Sequence, residues 1–337
     1  MQQNKYFFDS QLHFTCICAI FIVPLQLIWV TNRMHSSHRT YYRVADHLFA
    51  VESSEVALLS AMVNYEPFRI DSTTCDTSQA IFTLRIAQKG LLTDEQRAAY
   101  QHVFTDQSEE DMPRIEVYRA SGWLMRVSPV AQAPICSEME CSADFSSGTL
   151  HIDKDCLDIR FCIDNALMLI YAFRTAPLMT LEMHAAVVVR SNEEKAYMFL
   201  GHSGTGKSTH ARMWLQAFGD AYLLNDDNPI LRVMDDGKVW VYGSPWSGKT
   251  PCYKSERAHV GAIVKLSQAP HNHLRTLSLP EAYAYMLSSA SGLKIEKQMA
   301  DCLYESIRHV ITHVGCYHME CLPNVDAAEK CWKAINS

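Results

Sequence analysis

The chain has no surplus of positive charge: its 30 Lys and Arg are outnumbered by 37 Asp and Glu, for a net charge of −7. Duplex nucleic acid is held largely by Lys and Arg that neutralise phosphates. That class of partner is therefore excluded, and a small molecule or a protein is expected. The chain also lacks an uninterrupted apolar run of about 20 residues, the length that spans a bilayer. The most apolar segment, residues 14–30, is shorter and contains Pro24 and Gln26. Three readings of it stand open: a packed or signal segment, an anchor with Arg33, Arg39 and Arg43 on the cytoplasmic side, or upstream sequence read through ahead of a true start at Met34. Twelve Cys are present, but no C-x2-C pair joins an H-x3-H set to complete a zinc site. Without the short length or regular spacing of a disulfide scaffold, they are expected as reduced, buried thiols of a cytoplasmic protein.

What is present is ordinary globular material, 337 residues with 48% hydrophobic and 20% charged, long enough for two domains. At its centre stands Gly201-His202-Ser203-Gly204-Thr205-Gly206-Lys207-Ser208, which fits G-x-x-x-x-G-K-[ST]. Glycines in such a loop let backbone N–H groups turn toward phosphates, Lys207 reaches the β- and γ-phosphates, and the Ser208 hydroxyl holds Mg²⁺. The flanks suit the motif. Residues 196–200 read as a short apolar strand, and Ala211, Trp214, Leu215 and Phe218 fall at i, i+3, i+4 and i+7, the spacing of a helix. The helix adds its positive N-terminal end, where Thr209 joins the nucleotide-binding residues.

Around this stretch the chain divides into an apolar N-terminal segment (1–33), a β-rich accessory domain (40–158) and an α/β catalytic domain (159–337). In the accessory part Phe82, Leu84 and Ile86 alternate, as do Ile115 and Val117, and Thr93 with Gln96 marks a capping box for a helix over 94–103. No catalytic constellation is visible there. Asp164 reads as the N-cap of a helix ended by Pro177. Residues 184–190 and 195–200, joined by a tight polar turn, predict an antiparallel pair and hence a mixed sheet. A strand over 221–224 then delivers Asn225-Asp226-Asp227 to its C-terminal end, the edge where ligands sit in open α/β sheets. Further strands are expected over 230–234, 238–242 and 259–266. Ser278-Leu279-Pro280-Glu281 is a capping box that starts a helix.

Phosphoryl transfer needs a phosphate cradle, a divalent cation and a carboxylate that takes the acceptor's proton; Asp226 and Asp227 supply carboxylates. Taken together, His184, the loop 201–208 and the Asp226-Asp227 pair resemble the C-terminal catalytic domain of HPr kinase/phosphorylase, and more distantly the core of phosphoenolpyruvate carboxykinase. The resemblance covers roughly residues 160–250. It implies a P-loop kinase core, ATP and Mg²⁺ as cofactors, Asp227 as the base that deprotonates the acceptor, and His184 as an active-site residue. Ser208, Asp226 and Asp227 are the metal-holding set. The acceptor is a hydroxyl on a protein, a peptide or a small molecule, and the hexameric HPr kinase implies a homo-oligomer. Departures exist. Thr209 stands where that kinase has an acidic residue, and Glu256-Arg257-Ala258 only loosely matches its later Glu-x-Arg-Gly segment. In their place Lys249, on the loop Pro245-Trp246-Ser247-Gly248-Lys249, and Arg257 are candidate phosphate or substrate contacts. A carboxykinase reaction is disfavoured, because no cationic cluster precedes His184. The rival reading is a regulatory module that binds nucleotide without transferring phosphate.

Overall fold

In a computed structural model, which describes residues 38–87, 90–107, 112–248 and 250–337, the strands gather into two nine-stranded mixed sheets. The first contains β1 (His38–Val44), β2 (His47–Ser53), β3 (Arg69–Ile70), β4 (Thr83–Ile86), β5 (Gln101–Asp106), β6 (Arg114–Arg119), β7 (Trp123–Ser128), β8 (Ser137–Cys141) and β9 (Ser147–Ile152). Their spatial order is β3-β1-β2-β4-β9-β8-β7-β6-β5, with β4 parallel to both neighbours. Two short helices, α1 (Val56–Leu59) and α2 (Asp94–Arg97), lie between strands. Alternation works as the sequence implies: in β4, Leu84 and Ile86 are buried while Arg85 is exposed. The long helix α3 (Ile159–Thr175) covers the apolar face, packing Ile163, Leu167, Ile170 and Tyr171 into one core with Phe49, Leu84 and Leu150. Phe49 stacks on Phe82 at a centroid separation of 4.8 Å.

Two helix boundaries differ from the sequence expectation. The N-cap of α3 is Asp158, whose carboxylate accepts the Phe161 N–H at 2.9 Å. Asp164 sits inside the helix, and its carboxylate accepts from Asn64 and Tyr65. The extra turn exists because Cys162 and Ile163 find the sheet's apolar face, a tertiary gain that local pattern does not encode. The capping box at Thr93 and Gln96 is present, but α2 stops at Arg97. Residues 101–103 are strand instead, because Gln101 and His102 pair with Arg119 and Tyr118 of β6.

The second sheet contains β10 (Thr180–Glu182), β11 (Ala185–Arg190), β12 (Lys195–Leu200), β13 (Ala221–Asn225), β14 (Ile230–Val233), β15 (Val239–Tyr242), β16 (Arg257–Gln268), β17 (His273–Thr276) and β18 (Cys316–Cys321). The order is β10-β14-β15-β16-β12-β11-β13, with β18 along the far half of β16 and β17 beside β18. The hairpin of β11 and β12 is antiparallel, while β12 and β16 run parallel. Both faces are buried, so the strands are nearly continuous apolar runs. Val187, Val189, Met198 and Leu200 face α5 (Leu279–Ser289) and α6 (Lys297–His313). Val188, Tyr197 and Phe199 face α4 (Lys207–Ala217) and α7 (Val325–Ile335), with Trp214 of α4 wholly buried among them. β13 is an end strand. Its Leu223 and Leu224 carbonyls accept from the Cys252 thiol at 3.3 and 3.5 Å, and the Lys254 ammonium lies 4.2 Å from the Tyr222 ring centre. The apolar segment 14–30 lies outside the described residues, and among those no helix is long and apolar enough to cross a membrane.

Candidate active site

β12 runs directly into the loop 201–206, and α4 starts at Lys207. Gly204 and Gly206 adopt φ of +76° and +98°, a left-handed backbone that costs a residue with a side chain roughly 1–2 kcal/mol. At Gly201 the constraint is spatial: a Cβ would collide with the Thr205 hydroxyl. The loop therefore turns tightly enough to present the N-terminus of α4, whose first-turn N–H groups and dipole favour an anion. Gln268 at the end of β16 braces it, donating to the Gly204 carbonyl at 3.1 Å. Ser208 is exposed on the first turn of α4, and Thr209 beside it accepts from Arg212.

Three of the expected residues form one chain of contacts. The Lys207 ammonium donates to the Gly201 carbonyl at 2.8 Å and lies 2.9 Å from His184 Nε2. His184 Nδ1 is 3.1 Å from Asp227 Oδ1. A protonated lysine can only donate. Its Nε2 contact thus fixes that nitrogen as the acceptor, leaving the imidazole proton on Nδ1 to be donated to Asp227. The three groups come from neighbouring strand ends: His184 just ahead of β11, Lys207 beyond β12, Asp227 beyond β13. Antiparallel pairing of β11 with both neighbours puts its start beside their ends. Burial lowers the Lys207 pKa, opposed by the Asp227 charge, while the Lys265 charge pushes it down further.

The turn carrying the two aspartates is held from behind. Asn225 Oδ1 accepts the Asp227 N–H at 2.8 Å, and the Asn225 amide donates to Ser244 Oγ and to the Trp246 carbonyl at 3.1 and 3.0 Å. Asp226 is buried, and its Oδ1 has no hydrogen-bond partner among the described residues. A buried, unpartnered carboxylate oxygen is costly, and a cation would relieve that cost. A hard cation such as Mg²⁺ would suit that oxygen.

The aromatic residue of the loop at Pro245 does not face the candidate site. Trp246 is buried and turned inward, its indole N–H donating to the Tyr65 hydroxyl at 2.8 Å, which in turn donates to Asp164 at 2.9 Å. Asn64 donates to the Pro245 carbonyl at 2.9 Å. The helical turn Val63–Phe68 ahead of β3, braced by Asp164 of α3, thus buttresses the loop that holds the aspartate turn. Lys249 lies outside the described residues. Arg257 is not brought to the cluster: it starts β16 at the end away from Lys265, and it contacts Asp46 at 3.3 Å and the Tyr242 hydroxyl at 3.0 Å.

Beside the loop opens a cavity of about 450 Å³, within the range that suits small-molecule sites. Its polar end is formed by Gly201, His202, Ser203, Lys265 and Glu182; Phe104 and Ile115 from the first sheet and Leu169 from α3 contribute apolar wall. Glu182 is fully buried. Burial, with the Asp227 charge adding, pushes its pKa up to about 8, and a 3.4 Å contact from the Ser291 hydroxyl only partly opposes this. Its Oε2 is unpartnered among the described residues. Sequence reasoning missed Glu182 and Lys265. Lys265 interrupts the apolar run of β16, which is the available signal, whereas Glu182 ends the three-residue β10 and gives none.

No family pattern matches the chain, and no curated protein matches it. Among solved structures, the HPr(Ser) kinase/phosphatase from Coxiella burnetii is similar to it, with a TM-score of 0.27 and 11% sequence identity over 46% of this chain and 93% of that one.

Proposed function

We propose that the chain is an ATP-dependent kinase that transfers the γ-phosphoryl group to a hydroxyl of a protein, peptide or small molecule. The observation that carries this reading is the contact chain Lys207–His184–Asp227 at the mouth of the glycine loop. Nucleotide binding alone needs the loop and a cation; a histidine-tethered carboxylate beside the loop lysine is what proton removal from an acceptor requires.

In this reading, the loop 201–206 and the first turn of α4 cradle the phosphates, and Lys207 leaves its own loop carbonyls to meet the negative charge that develops during transfer. Asp226 and the Ser208 hydroxyl would hold Mg²⁺, which when bound would neutralise phosphate charge. Asp227 uses Oδ1 to receive the His184 proton donor, which orients the carboxylate, and its second oxygen takes the acceptor's hydroxyl proton. The cavity on the Glu182 side admits the acceptor.

The test is ATP binding and phosphate release by the full chain with Mg²⁺, comparing wild type with Lys207→Ala and Asp227→Asn. Lys207→Ala is expected to lose binding. Asp227→Asn is expected to keep ATP affinity within a few fold while turnover falls by at least 10²-fold, the usual weight of general-base catalysis. Tight binding without turnover in wild type and in Asp227→Asn alike would make the chain a nucleotide-binding regulatory module instead.

A further inference from the structure

Cys136 meets Cys156 and Cys162, themselves six positions apart, at the N-terminal end of α3. Cys136 immediately precedes β8, Cys156 lies in the connection after β9, and Cys162 is in the first turns of α3. Their sulfurs all lie within 4.8 Å of one another, and the Cys156 and Cys162 sulfurs are 3.6 Å apart. That is far beyond a covalent S–S bond of about 2 Å. Three thiolates around a tetrahedral Zn²⁺ at about 2.3 Å would be spaced by roughly 3.8 Å. Shifts below about 1 Å would therefore close the triangle. The backbone is already pinned for it: Cys136 N–H donates to the Val127 carbonyl, Asp153 N–H to the Cys136 carbonyl and Cys156 N–H to the Asp153 carbonyl, at 2.9, 2.9 and 3.0 Å.

We propose that Cys136, Cys156 and Cys162 form a binding site for one thiophilic closed-shell cation of the Zn²⁺ class, with a fourth position left to water or an outside ligand. Among the described residues no His, Asp or Glu completes the group, and no other such group of three occurs. Cys136 and Cys156 are half-buried and Cys162 is buried, so an ion can enter from the side of the first two. Binding forms three metal–sulfur bonds as three thiol protons leave to solvent, so affinity rises with pH. No oxidant is involved. The ion would tie the β8 corner to the start of α3, the helix that also supplies Asn165, Met168 and Leu169 to the cavity wall. This inference does not depend on the kinase reading.

The experiment titrates the reduced full chain with Cd²⁺, reading the sulfur-to-cadmium charge-transfer band, and with Zn²⁺ in competition. One equivalent per chain is expected, with at least tenfold loss of affinity in Cys136→Ser, Cys156→Ser and Cys162→Ser, and none in Cys75→Ser or Cys302→Ser. A parallel measurement on wild type guards against misfolded variants: Zn²⁺ should protect Cys136 and Cys156 from alkylation while leaving Cys75 as reactive as before. Absence of the band and of protection, or a band that survives all three substitutions, overturns the site.

Discussion

Glu182 offers the sharpest test of the site's electrostatics, because its carboxyl is fully buried and its pKa is pushed from 4.5 up to about 8. Between those values the native state holds a proton that the unfolded chain has already released. Stability from this group is therefore complete below about pH 4.5 and declines as pH rises toward 8. The slope is about 1.4 kcal/mol per pH unit. From pH 5 to pH 7.5 the accumulated loss is about 3 kcal/mol, large against the 5–15 kcal/mol that typically separates folded from unfolded domains. Glu182→Gln removes the titration and keeps the shape. The difference in unfolding free energy between variant and wild type, measured by urea denaturation at several pH values, should move in the variant's favour by about 3 kcal/mol over that interval. Comparing differences cancels the other titrating groups that both proteins share. A variant-minus-wild-type difference that stays constant from pH 5 to pH 8 would refute the claim that Glu182 keeps its proton in the fold.

Three further outcomes follow from the site. Tyr65→Phe leaves the Trp246 indole N–H without its acceptor and deprives Asp164 of a donor; it should cost about 1–3 kcal/mol in denaturant unfolding. Gly206→Ala must carry a side chain at φ +98°, so calorimetric titration should show ATP affinity lost along with about 1–2 kcal/mol of stability. Arg257→Ala should leave ATP turnover within twofold of wild type and lower stability by under about 1 kcal/mol, because its contact with Asp46 is a largely exposed ion pair.

The parts of this molecule that sequence exposes are those whose cause is local. The glycines at 204 and 206 mark backbone conformations that other residues resist, and the capping boxes at Thr93 and Ser278 satisfy N–H groups within their own first turns. The hairpin of β11 and β12 is set by a short polar turn between apolar runs. What stays hidden has distant causes. Local pattern points to Asp164 as the cap of α3, and the sheet that takes up Cys162 and Ile163 moves the cap to Asp158. The inward face of Trp246 depends on Tyr65, 181 positions away. Cys136 is brought to Cys156 and Cys162 only by the packing of β8 against the start of α3, so no spacing motif announces the group. Likewise, the burial and the Asp227 charge that raise the Glu182 pKa come from residues far from it in the chain.

The strand that leads into Asp226 and Asp227 is the last in its sheet, with only β11 beside it. An open strand edge invites backbone pairing with another chain, which is how many folded proteins begin to aggregate. Here the Cys252 thiol occupies the Leu223 and Leu224 carbonyls, and Lys254 lays a charge across Tyr222. The segment around residue 252 thus acts as a guard on solubility as much as a connector, and loosening it would turn the aspartate-bearing strand into a seed for self-association.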